Sequence, residues 1–163
     1  MSDSELQHKA LDGITEYIAA LDSICALAQL SLFIFENDFD SLGFNSETRY
    51  NTLRKFLLSS PNVRLKFLAH DVQPIVRYCP RIMLLQRQFS HIMNIYQTPV
   101  NLRHLTAPFA VADSQHFVRR FHFDNARGEF AQHEPEGAIV LKSRFEEMWA
   151  ASRQNASITT LGL

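Results

Sequence analysis

The chain has 163 residues, 46 % of them apolar and 20 % charged, and a formal net charge of −1. This is the size of one domain, large enough to bury about 70 % of its unfolded surface without disulfides or a structural metal. The polar start MSDSELQH has no signal-peptide core, and the longest apolar stretch, at 24–35, is too short for a membrane span, so a cytoplasmic protein with no membrane contact is expected.

Along the chain, Leu11, Ile14, Ile18, Leu21, Cys25 and Ala28 recur at three- and four-residue steps and predict a helix over 11–28. The continuous apolar run at 29–37 predicts a strand covered on both faces. Ser46 can cap a second helix with Tyr50, Leu53, Phe56 and Leu57 facing inward, stopped by Ser59-Ser60-Pro61-Asn62. A second strand is expected over 63–69. Pro74 and Pro80 then frame a helical region that breaks near Tyr78–Cys79, because proline belongs in a first turn and not in a helix interior. A third strand falls at 92–98. The segment 109–124 reads as a strand, a tight turn and another strand. A last helix starts near Pro135, with Ala138, Leu141, Phe145, Met148 and Trp149 on one face, and 153–163 forms a flexible tail. The pattern predicts a single domain over 1–152: mixed α/β, with a mainly parallel sheet and helices on both faces. Cys25 and Cys79 both fall in apolar helical patterns and are expected as buried free thiols.

Charge is unevenly distributed. Residues 1–48 carry nine acids and one base, residues 49–127 twelve bases and three acids, and residues 128–163 five acids and three bases. Such segregation builds either a basic surface for phosphate or nucleic acid, or an acidic first segment that neutralises the basic middle. The pI of 6.6 favours neutralisation.

The polar residues suggest where a site would form. In open α/β sheets ligands collect beyond the carboxyl ends of parallel strands. Glu36, Asp38 and Asp40 follow the first strand, His70 and Asp71 the second, and Thr98 the third, while Asp113 ends the fourth. On the strand after Asp113, a period of two sets His116, Val118, Arg120, His122 and Asp124 on one face, and Phe117, Arg119, Phe121 and Phe123 on the other. The candidate catalytic groups are therefore His116, His122, Asp124 and Asp113, and the candidate ligand-binding groups are His70, Asp71, Thr98 and Arg120. Phe117 and Phe121 are expected in the core. The chain has no spaced metal-ligand set, nucleophile elbow, GxGxxG or P-loop, so neither metal nor cofactor is expected.

The segments TLRKFLLSSPNVRLKFLAHD (52–71), CPRIMLLQRQFSHIMNIYQTP (79–99), FAVADSQHFVRRFHFDNARGE (109–129) and RFEEMWAAS (144–152) carry a resemblance over residues 14–152. The chain resembles one half of a phospholipase D-like domain. More closely it resembles an uncharacterised proteobacterial family of that fold, often attached C-terminally to GNAT-type acetyltransferases. Catalytic members carry HxKxxxxD, in which the His attacks phosphorus and the Lys steadies the phosphoryl oxygens. Anchored on Asp113, that motif puts Thr106 in the His slot and Pro108 in the Lys slot, and Arg120-Phe121 stands in place of the later Gly-Ser. The resemblance thus implies a non-catalytic binding or scaffold module for a protein partner or a phosphate-containing ligand, with a homodimer and an acetyltransferase as candidate partners. The alternatives are a divergent phosphodiesterase using His116 or His122, and nucleic-acid binding through the basic middle segment.

Overall fold

The computed structural model describes residues 7–159, with side chains to residue 153. In chain order the elements are β1 (Gln7–Asp12), α1 (Ile14–Leu27), β2 (Ser31–Glu36), α2 (Glu47–Leu58), β3 (Arg64–Ala69), α3 (Gln73–Tyr78), α4 (Pro80–Gln88), β4 (Met93–Gln97), β5 (Phe109–Ala112), β6 (His116–His122), β7 (Asn125–Gln132) and α5 (Pro135–Thr159). The strands form one sheet in the order β1-β7-β6-β5-β2-β3-β4.

Local signals placed most of these elements. Ser46 caps α2 by accepting the Arg49 N–H at 3.0 Å. Helices α3 and α4 break at Cys79, immediately before Pro80. Both cysteines are free and buried. Helix α5 continues to Thr159, into the stretch read from sequence as a tail, and residues 160–163 lie outside the described residues.

The core has two layers. One joins α1 to α4 with one face of the sheet, through Tyr17, Leu21, Ile24, Leu53, Ile75 and Ile82 against Leu32, Ile34 and Phe67. The other packs Ala138, Leu141, Phe145, Met148 and Trp149 of α5 against Phe33, Phe35, Leu68, Phe109 and Phe117. Strand β2 is therefore apolar on both faces, as its continuous run requires, while β3 is apolar toward α1–α4 and carries Arg64 and Lys66 toward α5.

The sheet is mixed, with helices on both faces, but it is not mainly parallel. Only β2–β3 and β3–β4 run parallel; β1–β7, β7–β6, β6–β5 and β5–β2 are antiparallel. The excess comes from β1 and β7, which the sequence reading did not include. Strand β1 is exposed at nearly every position, and β7 lies toward the same edge. Neither shows the apolar run or clean alternation that marks a covered strand.

Candidate functional site

Strand direction decides which polar groups can meet. Because β5 runs antiparallel to β2, its carboxyl end lies at the opposite rim from Glu36, His70 and Thr98. Asp113 is therefore not part of the site. It begins a two-residue turn with Ser114, both at positive φ (59° and 57°), which is the geometry that joins twisted hairpin strands. Its carboxylate accepts the backbone N–H groups of Gln29, Leu30 and Ser31 at 2.7–3.1 Å. It ties the entry of β2 to the hairpin. His116, at the start of β6, lies at the same far rim; its Nδ1 accepts the His133 N–H at 3.1 Å and its ring meets the His133 ring edge-on. Burial and the neighbouring imidazole push its pKa down. His116 and His122 are thus at opposite ends of one strand and cannot act together.

At the other rim, β2, β3 and β6 end around an open cleft of about 520 Å³, lined by Asn37, His70, Asp71, Arg103, Thr106, His122, Phe123 and Asp124. Strand β5 begins only at Phe109, opposite Phe35, so β2 and β6 reach the cleft from either side of its start. The segment before β5 continues along β6: Arg120 N–H donates to Pro108 O at 3.0 Å and Phe123 N–H to Thr106 O at 2.9 Å. This pairing places Thr106 in the cleft wall, while Pro108 is buried beneath it.

His70 has no free nitrogen. Its Nε2–H donates to the Leu105 carbonyl at 2.7 Å, which leaves Nδ1 to accept the Thr98 hydroxyl at 2.5 Å. The ring is 5 % exposed and sits edge-on against Phe35 and Phe123. Burial lowers its pKa, so it is neutral and acts as a clasp between β3 and the 98–106 loop. Thr98 is buried behind it and does not reach the cleft. Asp71 lines the cleft, although one carboxylate oxygen accepts the Gln73 N–H.

Arg120, expected to face a ligand, is buried on the other side of the sheet. Its Nη2 donates to Glu36 at 2.8 Å, its Nη1 to Phe123 O at 3.0 Å, and its guanidinium lies 4.7 Å from the centre of the Tyr17 ring. The Tyr17 hydroxyl donates to the second Glu36 oxygen at 2.5 Å. Burial pushes the Glu36 carboxyl up to about 7, against the downward pull of Arg120 and Tyr17. Among the described residues, Arg120 Nε finds no acceptor. The alternation by face continues past this point, with Phe123 packed in the same core as Phe117, although the β6–β7 register slips between Arg120 and His122. Phe121, under the Arg119 guanidinium at 5.6 Å, is 53 % exposed and not a core residue, whereas Phe117 is buried as expected.

His122 and Asp124 stand together in the cleft: His122 Nδ1 accepts the Asp124 N–H at 3.0 Å, and an Asp124 carboxylate oxygen lies 3.7 Å from the same nitrogen. Of the residues singled out in sequence, His70, Asp71, His122 and Asp124 thus share one cleft, while Thr98, Arg120, Asp113 and His116 do not line it. Arg103, Asn37 and Phe123 were not singled out. Arg103 follows a short 3₁₀ turn, Val100–Leu102, in the loop after the last parallel strand, which was the one available signal. Among the described residues no three His, Cys, Asp or Glu side chains gather where a metal could bind, and no helix is long and apolar enough to cross a membrane.

This three-layer fold is phospholipase D-like. It superposes on a phospholipase D family member, Nuc from Salmonella typhimurium, with a TM-score of 0.59 at 11 % identity, covering 90 % of this chain and 96 % of that one. It superposes on NucT from Helicobacter pylori with a TM-score of 0.58 at 12 % identity, covering 90 % and 98 %. TrmBL2, an archaeal chromatin protein whose structure shows a novel mode of DNA binding, superposes with a TM-score of 0.66 at 12 % identity over 88 % of this chain, which spans about half (52 %) of that protein. No curated protein matches. Residues 14–161 match the family described as "Domain of unknown function (DUF7931)", and the chain belongs to it.

Proposed function

We propose that the chain is a non-catalytic binding module that takes a phosphate-containing ligand in the rim cleft. One observation supports this reading: the resemblance, anchored on Asp113, assigns Thr106 to the His slot and Pro108 to the Lys slot, and Thr106 lines the cleft while Pro108 is buried and has no donor. Of the two imidazoles in the cleft, His70 has both nitrogens committed to Thr98 and Leu105. Arg103 supplies the positive charge in the wall, and a phosphate oxygen can accept from its guanidinium. The DNA binding of the archaeal structural neighbour makes a nucleic-acid strand a natural source of that phosphate. The resemblance to acetyltransferase-linked domains and to twofold-paired halves extends the proposal to an acetyltransferase partner and a homodimer in the cytoplasm of a bacterium.

A second reading is a divergent phosphodiesterase. The placement of His122 in the same cleft favours it, since the Asp124 N–H bonded to its Nδ1 orients the ring for proton transfer. One experiment separates the two: binding of a short single-stranded oligonucleotide by fluorescence anisotropy at ~50 mM salt, alongside hydrolysis of bis(p-nitrophenyl) phosphate. The binding-module reading expects Arg103→Ala to weaken binding about tenfold, with no hydrolysis above buffer. Hydrolysis that disappears in His122→Ala would replace it with the enzyme reading.

A further inference from the structure

A second cationic surface lies on the α5 face, toward the opposite end of β3 from His70. Arg64 and Lys66 are two residues apart on β3 and so face the same side of the sheet. Lys66 Nζ lies 5.0 Å from the centre of the Phe33 ring and 5.1 Å from that of Trp149, so that side is the α5 side. Lys142 Nζ approaches the same Phe33 ring at 5.7 Å. Lys142, Glu146, Trp149 and Arg153 recur at helical steps along α5 and form one stripe facing β3. Asn94, paired with Lys66 in the β3–β4 register, is half-buried on the same side.

The cations of this cluster meet carbonyls and rings in place of acids: Arg64 Nη1 donates to the Pro61 and Val63 carbonyls at 3.2 and 2.7 Å, and the two ammonium groups face aromatic rings. Elsewhere the fold sets acids against its interior cations: Arg49 against Asp22, Arg119 against Glu129, and Arg120 against Glu36. Among the described residues neither Lys66 nor Lys142 forms an ion pair within 4 Å. Burial, and then the neighbouring Arg153, Arg64 and Lys142, depress the Lys66 ammonium, and Glu146 alone opposes them. Gathering like charges against an aromatic floor costs free energy that an arriving anion would return.

We propose that Arg64, Lys66, Lys142 and Arg153, with the Asn94 amide, form a binding site for phosphate groups, separate from the rim cleft. Ammonium and guanidinium groups donate to a tetrahedral oxyanion from two sides, β3 and α5, and Phe33 and Trp149 form an apolar floor. The phosphate comes from a free polyphosphate or from a nucleic-acid backbone. The site does not depend on the reading of the cleft.

Trp149 is the single tryptophan of the chain and touches Lys66, so its fluorescence reports on the site directly. Sodium pyrophosphate and a short thymidylate strand are titrated separately at ~50 mM salt. The expected result is a saturable change in Trp149 emission, with affinity reduced roughly tenfold in Lys66→Gln and in Lys142→Gln. Lys55→Gln, an exposed base on α2, leaves it unaltered. Saturation by the strand alone assigns the phosphate to a nucleic-acid backbone, and saturation by pyrophosphate assigns it to a free anion. Should half-buried Lys66 prove necessary for folding by circular dichroism, Lys142→Gln carries the test. No saturable change with either probe, or wild-type affinity in folded Lys66→Gln or Lys142→Gln, overturns the proposal.

Discussion

Three backbone N–H groups converge on the Asp113 carboxylate, and this explains why an aspartate stands there without any catalytic neighbour. A charged acceptor holding the start of β2 contributes more than a neutral hydrogen bond, so Asp113→Ala is expected to cost about 1.5–3 kcal/mol, read as a lower urea midpoint. Asp113→Asn keeps one acceptor oxygen and is expected to lose less. The sequence alone could identify Asp113 as special but could not say why. A motif position and a structural tie look the same until the strand's direction is known. His70 was likewise legible as a rim residue, but its commitment to Thr98 and Leu105 depends on a loop that returns 28 to 35 residues later.

The elements most legible in sequence were those with a local cause. Ser46 before α2, the Pro80 break and the apolar run of β2 each carry their own physical signal. Strand β7 carries none, since its residues Asn125, Arg127, Gly128 and Glu129 favour a turn or an exposed surface. Gly128 shows what that strand requires instead. A Cβ built there would lie 1.9 Å from the Arg119 carbonyl oxygen, a backbone atom that cannot swing aside. Gly128→Ala is therefore expected to force the β6–β7 ladder apart, at about 3 kcal/mol or more by chemical denaturation. Next to it the β6–β7 register slips between Arg120 and His122, and Phe121 is exposed although it stays on the face of Arg119.

Across the whole molecule, the uneven charge in the sequence is partly cancelled by the fold. Asp22 and Glu36, from the acidic first segment, pair with Arg49 and Arg120 from the basic middle. The Glu36 pair also gives stability a pH dependence. Its carboxyl ionises near the ordinary 4.5 in the unfolded chain and near about 7 in the folded one, so the folded state holds the proton more tightly. The contribution is complete below about 4.5 and is lost as pH rises through about 7. Glu36→Gln keeps an acceptor for Arg120 and cannot ionise. The stability of wild type minus that of Glu36→Gln, from urea midpoints between pH 4.5 and 8, is expected to fall as pH rises and then level off; a flat difference would refute the assignment. Burial lowers the pKa of His70 and His116, so these groups act in the opposite sense, withdrawing stability as pH falls below the usual 6.5.

Strand β1 lies wholly ahead of the family match, which begins at residue 14, yet it pairs with β7 from Gln7 to Asp12. Its neighbour β7 would otherwise end the sheet with a row of bare amides and carbonyls. A chain cut at Asp12 would keep both helical layers and the cleft, but it would expose a ready template for a strand from another molecule. In the intact chain β1 becomes the edge in its place and sets the charged Lys9 and Asp12 there, side chains that discourage filament-like addition of a further strand.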